Sequence, residues 1–425
     1  MKRSNVTAAA AAVASVWATV GLVSFTLALN PPSNMVDYLR VCTEDEMEQF
    51  PASCKLMSMD KADVVEQLSN MHMLHVNSYD REGEGIDFET DVNYSANMRL
   101  RRMDSVNYDR SSGTTASDSH GNVRSSPDSN QPVPVRGSSS LPVVTAHGLG
   151  DSCFNEGFTD FTEQIGDYLQ TYSVCIPTGE TREEDVYNSF FMGMEKSVDV
   201  FAENILNDPK LQGGFHAIGV SQGNILIRGY IIKYIHKEGY PKVHTYMSIS
   251  GVNAGVGAFP YCGPDEDGNF TDVCGSLNEF ITDIYYHDMF QDNILPAGYW
   301  REPNATYTEE YLNNCTLAQW GNEGDVYNET YFDNFQEPDQ YVWVLAEKDL
   351  IVWPVEGEHW GGMDPDSPYT DPVPMEEMRW YKEDLFGLRT VDENGMNHFE
   401  SFDGAHTGWS DEELEYWLET YFTYI

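Results

Sequence analysis

The sequence predicts an α/β fold over residues 141–425: a mostly parallel central sheet with helices on both faces. Three observations predict it. Five apolar, β-rich runs, Leu141–Ala146, Tyr172–Ile176, Phe215–Val220, Val243–Ile249 and Tyr341–Ala346, have helical stretches between some of them, and strands buried on both faces read as such unbroken runs. The third run leads into Gly219-Val-Ser221-Gln-Gly223, and a strongly apolar segment follows. Ser410-Asp-Glu-Glu413 has the form of a capping box and starts a last helix at Asp411. An apolar fraction of 41% in 425 residues supports a real core.

The chain upstream of this fold reads differently. Lys2 and Arg3 precede an uncharged stretch, Ala8 to Leu29, so residues 1–29 are expected to be a secretory signal peptide or a retained signal-anchor. Membrane contact is expected through Ala8–Leu29 only if it stays uncleaved. Residues 30–104 form a polar, partly helical extension, in which Cys42, Phe50, Leu56, Val64, Val65 and Leu68 could support a small helical hairpin. Residues 105–140, rich in Ser, Asn, Asp and Gly, cannot bury a core and are expected to be a disordered linker.

Net charge is -45. Residues 1–140 hold 18 acidic and 12 basic residues, whereas residues 141–425 hold 51 and 12. Such a surface keeps the chain soluble and argues against nucleic-acid binding, which needs a basic patch. Downstream of the signal the chain is expected to face a lumen or the exterior. Sequons at Asn5, Asn93, Asn269, Asn304, Asn314 and Asn328 agree with this. Some of the seven cysteines should then pair, with Cys42–Cys54 and Cys262–Cys274 the nearest local candidates. The sequence holds no C-x-x-C motif or His–Cys cluster, so neither a structural zinc nor another cofactor is expected.

In a parallel sheet, chemistry sits in the loops at the carboxyl ends of the strands, which selects four loops. The first, His147-Gly-Leu-Gly-Asp-Ser-Cys153, can turn backbone N–H groups into a cavity; Leu149 N–H, with Gln222 N–H, is the candidate oxyanion hole. The second carries Ser221. Chance alone places one G-x-S-x-G in about one in five chains of this length, so the strand–turn–helix context decides for a nucleophile. In the helix that follows, Ile225, Gly229, Ile232 and Ile235 share a face.

The third loop, after Tyr341–Ala346, offers Asp349 as the acid that orients an imidazole, with Glu347 as rival. The fourth, Phe402-Asp-Gly-Ala-His406, offers the base. His147, His216, His244, His287, His359 and His398 compete, but only His406 combines a place after Asp349 with a loop end. The order Ser, Asp, His is that of an α/β-hydrolase.

At this point the chain from about Leu141 onward resembles the palmitoyl-protein thioesterases of lysosomal type. The resemblance rests on VVTAHGLGDSC, EEDVYNSFF, NDPKLQGGFHAIGVSQGN, GVNAGVGAFPYC, AGYW, KDLIVWP and FDGAH, in that order. It implies hydrolysis of the thioester between a long acyl chain and a cysteine of an S-acylated protein or peptide. Ser221 would be the nucleophile, Asp349 the acid, His406 the base, and Leu149 and Gln222 the oxyanion donors. It also implies a Cys262–Cys274 disulfide and residence in a lysosomal or vacuolar lumen, or outside the cell. The family loop often has two adjacent cysteines, but here Phe154 follows Cys153, leaving Cys153 free or paired elsewhere. The helical insertion between Gly251 and Gln340, with FITDIYYHDMF and NILPAGYW, could supply an acyl-chain groove. Two other functions fit parts of the sequence: an oxyester hydrolase on the same fold, and a secreted binding protein that uses its N-terminal region as an arm.

Overall fold

A computed structural model describes residues 141–306 and 308–423. The expectations for residues 1–140, including the signal, the linker, Cys42–Cys54, Asn5 and Asn93, lie outside the described residues.

The described chain opens with β1 (Val143–Ala146), α1 (Glu156–Leu169), β2 (Ser173–Cys175), α2 (Arg182–Phe191), α3 (Met194–Asn207), β3 (Phe215–Val220), α4 (Gly223–Tyr234) and β4 (Val243–Ile249). Five helices follow: α5 (Asp272–Tyr285), α6 (Asp288–Asn293), α7 (Glu309–Asn314), α8 (Thr316–Trp320) and α9 (Glu329–Asn334). The chain then returns through β5 (Gln340–Ala346), a two-residue pair β6 (Gly362–Met363) and β7 (Pro372–Val373), α10 (Arg379–Lys382), α11 (Leu388–Glu393), β8 (Asn397–Phe402) and α12 (Asp411–Phe422).

Six strands form one parallel sheet in the order β2-β1-β3-β4-β5-β8. The five predicted strands are present within one or two residues of their expected ends, and a sixth, β8, carries His398. The alternation of side chains along each strand divides the core between two faces. Val143, Ile218, Met247, Val342 and Val344 pack with Phe158, Phe161 and Ile165 of α1 and with Leu414, Trp417 and Leu418 of α12. Val144, Ala217, Tyr246, Tyr341 and Trp343 face the other way, onto α3, α4 and apolar residues of the 252–339 insertion.

Helix α4 lies between the sheet and that insertion. Ile227 and Ile231 are therefore as buried as Ile225 and Ile232, and the helix is apolar nearly all round rather than on one face. A Cβ on Gly229 would come within 2.4 Å of Val198 and 2.6 Å of Trp320, so the absence of a side chain there sets how closely α3 and α8 approach. The short β6–β7 pair carries no apolar period, which is why it is invisible in the sequence pattern.

Among the described residues, Cys262 pairs with Cys274 and Cys153 with Cys175, while Cys315 is a free, buried thiol. The Cys153–Cys175 bridge ties the loop after β1 to the end of β2 across a separation of 22 residues. Replacing both cysteines by serine is expected to cost about 3 kcal/mol, since a loop of that size is no longer closed in the unfolded chain. The shift of the urea midpoint under oxidising conditions checks this; no shift would mean that the bridge does not form in solution.

Candidate active site

The sheet order reverses between β1 and β3, and open α/β sheets hold their crevice at such a point, outside the carboxyl ends of the strands. The loops after β1 and β3 meet there. A Cβ on Gly223 would fall 2.1 Å from the Ala146 carbonyl oxygen, and one on Gly219 would fall 2.3 Å from Asn224 Oδ1. Gly223 is thus required by close backbone approach, and Gly219 by the Asn224 side chain packed against it. Between them Ser221 has φ of 54°, a left-handed conformation that a non-glycine residue adopts at an energetic cost. Its N–H donates to the Ile249 carbonyl at 3.0 Å, so the end of β4 holds the strained turn in place.

The expected acid and base are joined. His406 Nδ1 lies 2.5 Å from Asp349 Oδ2, and both residues are buried. Asp349 Oδ1 accepts from the N–H groups of Ile351 at 2.6 Å and Val352 at 3.0 Å. Burial pushes the Asp349 carboxyl up, but the charge and hydrogen bond of His406 outweigh it and hold the pKa below the usual carboxylate value. The rival Glu347 instead accepts from Ser401 Oγ at an exposed site. Among the described residues no hydrogen bond links Ser221 to His406. A Ser–His bond is often long before substrate binds.

The other histidines have structural partners. His216 is buried on β3, and burial lowers its pKa to about 4. His359 has its Nε2 3.0 Å from the carbonyl oxygens of both Trp343 and Glu400, and burial lowers its pKa to about 4 as well. His244 contacts Asp339.

Helix α2 braces the first two loops. Asp185 is wholly buried and accepts from Ser152 Oγ, Cys153 N, Thr178 N and Thr178 Oγ1. His147 Nε2 sits 3.1 Å from Asp185 Oδ2, close enough for an ion pair. Ser189 Oγ accepts from Gly150 N at 2.9 Å, and the Ser189 carbonyl accepts from Gln222 Nε2 at 2.8 Å. Tyr299, from the insertion, donates to Gln222 Oε1 at 2.7 Å. Gln222 N–H stands at the start of α4, where backbone N–H groups lack intrahelical partners, and Leu149 lies in the turn after β1. Sequence reasoning overlooked Asp185, Ser189 and Glu358. Nothing in the sequence separates Asp185 from Glu183 and Glu184, or Glu358 from Glu356.

Two groups of three metal-type side chains occur among the described residues: His147, Cys153 and Asp185, and Asp349, Glu358 and His406. In the first, Cys153 is bound in a disulfide and offers no thiolate. The second is the acid–base cluster itself. A cavity of about 30 Å³ lined by Arg301, Met363, Met378 and Trp380, and one of about 300 Å³ lined by Glu195, Lys196 and Asp288, both lie away from Ser221.

Asp349 can fix the His406 tautomer and stabilise a charged imidazole, which is what a base for acyl transfer requires. Residues 142–406 match the family model of palmitoyl protein thioesterases. Palmitoyl-protein thioesterase 1 of Caenorhabditis elegans is 32% identical over 273 residues, covering 63% of this chain and 86% of the relative. Palmitoyl-protein thioesterase 3 of Dictyostelium discoideum is 28% identical over 289 residues, covering 67% and 91%. Among solved structures, the RedJ thioesterase of Streptomyces coelicolor matches with 17% identity and a TM-score of 0.31 over 70% of this chain and 91% of that one. This chain belongs to the palmitoyl protein thioesterase family.

Proposed function

We propose that the protein removes long-chain acyl groups, palmitoyl among them, from cysteine side chains of S-acylated proteins or peptides. The observation that carries this is the buried His406–Asp349 contact at 2.5 Å, in loops at the same carboxyl end of the strands as Ser221. In this reading His406 Nε2 takes the Ser221 Oγ proton while Oγ bonds to the acyl carbon. The carbonyl electrons move to oxygen, where the N–H groups of Leu149 and Gln222 receive the charge. Collapse expels the cysteine sulfur, which takes the proton from His406. Water, deprotonated by the same imidazole, then cleaves the acyl-serine and releases the fatty acid.

In this reading the acyl chain lies against the insertion, which Tyr299 connects to Gln222. Cys153–Cys175 and Cys262–Cys274 support a route through an oxidising compartment, to a lysosomal or vacuolar lumen or the exterior. Asn269 and Asn304 are exposed and fit glycan attachment there, with Asn314 and Asn328 partly exposed. Among the described residues no helix is long and apolar enough to cross a membrane.

The test is hydrolysis of palmitoyl thioester against matched palmitoyl oxyester across chain lengths, with Ser221→Ala as control. A preference for the long-chain thioester that vanishes in the variant is expected. Preference for oxyesters or short chains would make the protein a general esterase.

A further inference from the structure

Glu358 lies in a 3₁₀ turn, Val355–His359, nine residues after Asp349. It has no exposed surface. Its Oε2 accepts from Ala346 N, the last residue of β5, at 2.8 Å. Its backbone carbonyl accepts from Asn253 Nδ2 at 2.9 Å, and Asn253 is in turn bonded to Ser248 on β4. The carboxyl is therefore held from β5 and the backbone of the same residue from β4. One oxygen of Glu358, one of Asp349 and a ring nitrogen of His406 all lie within 4.8 Å of one another.

Glu358 Oε1 has no hydrogen-bond donor among the described residues, and the buried carboxylate beside it, within 4.8 Å, is Asp349. Two buried carboxylates this close repel each other, so one of them carries a proton. Asp349 has the imidazole and two backbone N–H groups to keep it ionised. Glu358 has a single backbone N–H and a carboxylate neighbour. Burial first, and then the Asp349 charge, push its pKa well above the ordinary value. The titratable groups facing it are Asp349, His406 and Glu356.

We infer that Glu358 is a positioning residue, a neutral carboxylic acid whose O–H donates to Asp349 and fixes the carboxylate that holds His406. This rests on the Ser221–His406–Asp349 reading and deepens it. A neutral donor orients Asp349 without adding a second negative charge beside the imidazole.

The test compares wild type, Glu358→Gln and Glu358→Ala as full chains, reading kcat and the acid limb of the kcat/KM profile, where His406 must lose its proton. Glutamine keeps both bonds, with its oxygen toward Ala346 N–H and its NH₂ toward Asp349. Glu358→Gln is expected to keep kcat within about threefold and the limb within about 0.3 pH unit, whereas Glu358→Ala loses about tenfold or more in kcat and moves the limb. A limb that falls by about one unit or more in Glu358→Gln would mean a charge had been removed, and would overturn the inference. An alanine variant equal to wild type would overturn it too.

The infrared C=O stretch of a protonated carboxylic acid gives a second reading that does not depend on the variant folding. Its absence from the wild type at neutral pH overturns the inference, and loss of one such band in Glu358→Gln supports it. Ser221→Ala separates the two levels. Activity that survives it removes the triad and the role of Glu358 together. An inactive Ser221→Ala beside a shifted limb in Glu358→Gln removes the role of Glu358 alone.

Discussion

Asp349→Asn is expected to lower kcat on a palmitoyl thioester by about 10⁴-fold, with KM little changed. The reason is a tautomer. Ile351 N and Val352 N both donate to Asp349 Oδ1. An asparagine keeps its oxygen toward those two donors and turns its NH₂ toward His406. Nδ1 must then accept rather than donate, so the imidazole proton moves to Nε2. A ring protonated at Nε2 cannot take the serine proton. Single-turnover acylation is the step to follow, because the deficit falls on activation of Ser221. Glu347→Gln is the control: Glu347 is partly exposed and bonded to Ser401, so its loss should change kcat by less than about twofold. Equal losses in the two variants would remove Asp349 from the reading.

Much of this site was legible because the residues involved obey strong local rules. A serine in a left-handed turn needs glycines where a Cβ would clash, and Gly219 and Gly223 carry that signal in five letters. His406 was legible by its place between a strand and a capped helix, and the capping box at Ser410–Glu413 is present as expected. The Cys153–Cys175 bridge was not legible, since nothing local in sequence shows that β1 and β2 are neighbours. Nor was Glu358, whose significance is a matter of three side chains meeting across separate loops. Asp185 was hidden for the opposite reason. EEDVYNSFF looks like an ordinary acidic first turn, and only the fold shows that its third carboxylate points inward while Glu183 and Glu184 face solvent.

That inward carboxylate supports the second large effect. Burial alone would drive His147 toward its neutral form, but Asp185, with Asp151 adding, outweighs it and raises the imidazole pKa to about 9. Burial likewise raises the Asp185 carboxyl, and His147, with the N–H groups of Cys153 and Thr178, brings it down to about 2. The histidine shift corresponds to about 3 kcal/mol and the aspartate shift to about 2, and the two differ because each partner has its own burial cost and its own hydrogen bonds. The imidazole pKa is raised on folding, so its contribution is complete below about 6.5 and is lost as pH rises toward about 9. The carboxyl pKa is depressed, so its contribution is complete above about 3.8 and is lost as pH falls toward about 2. Stability from this pair is therefore greatest between about pH 4 and 6.5.

Asp185→Asn should cost about 3–5 kcal/mol at pH 5.5, since it leaves His147 buried without its counter-charge. It should also abolish the part of the alkaline decline between pH 6.5 and 9 that belongs to His147. Urea unfolding of both proteins at pH 5.5, 7.5 and 9 reads the two effects separately. A decline of the same size in Asp185→Asn as in wild type would show that the pair is not charged. Because Asp185 also holds Ser152 and Cys153, the variant should lose activity while still folded, as the loop carrying Leu149 loosens. In the proposed mechanism the pair thus ties the pH range in which it stabilises most to the loop whose Leu149 N–H would receive the oxyanion.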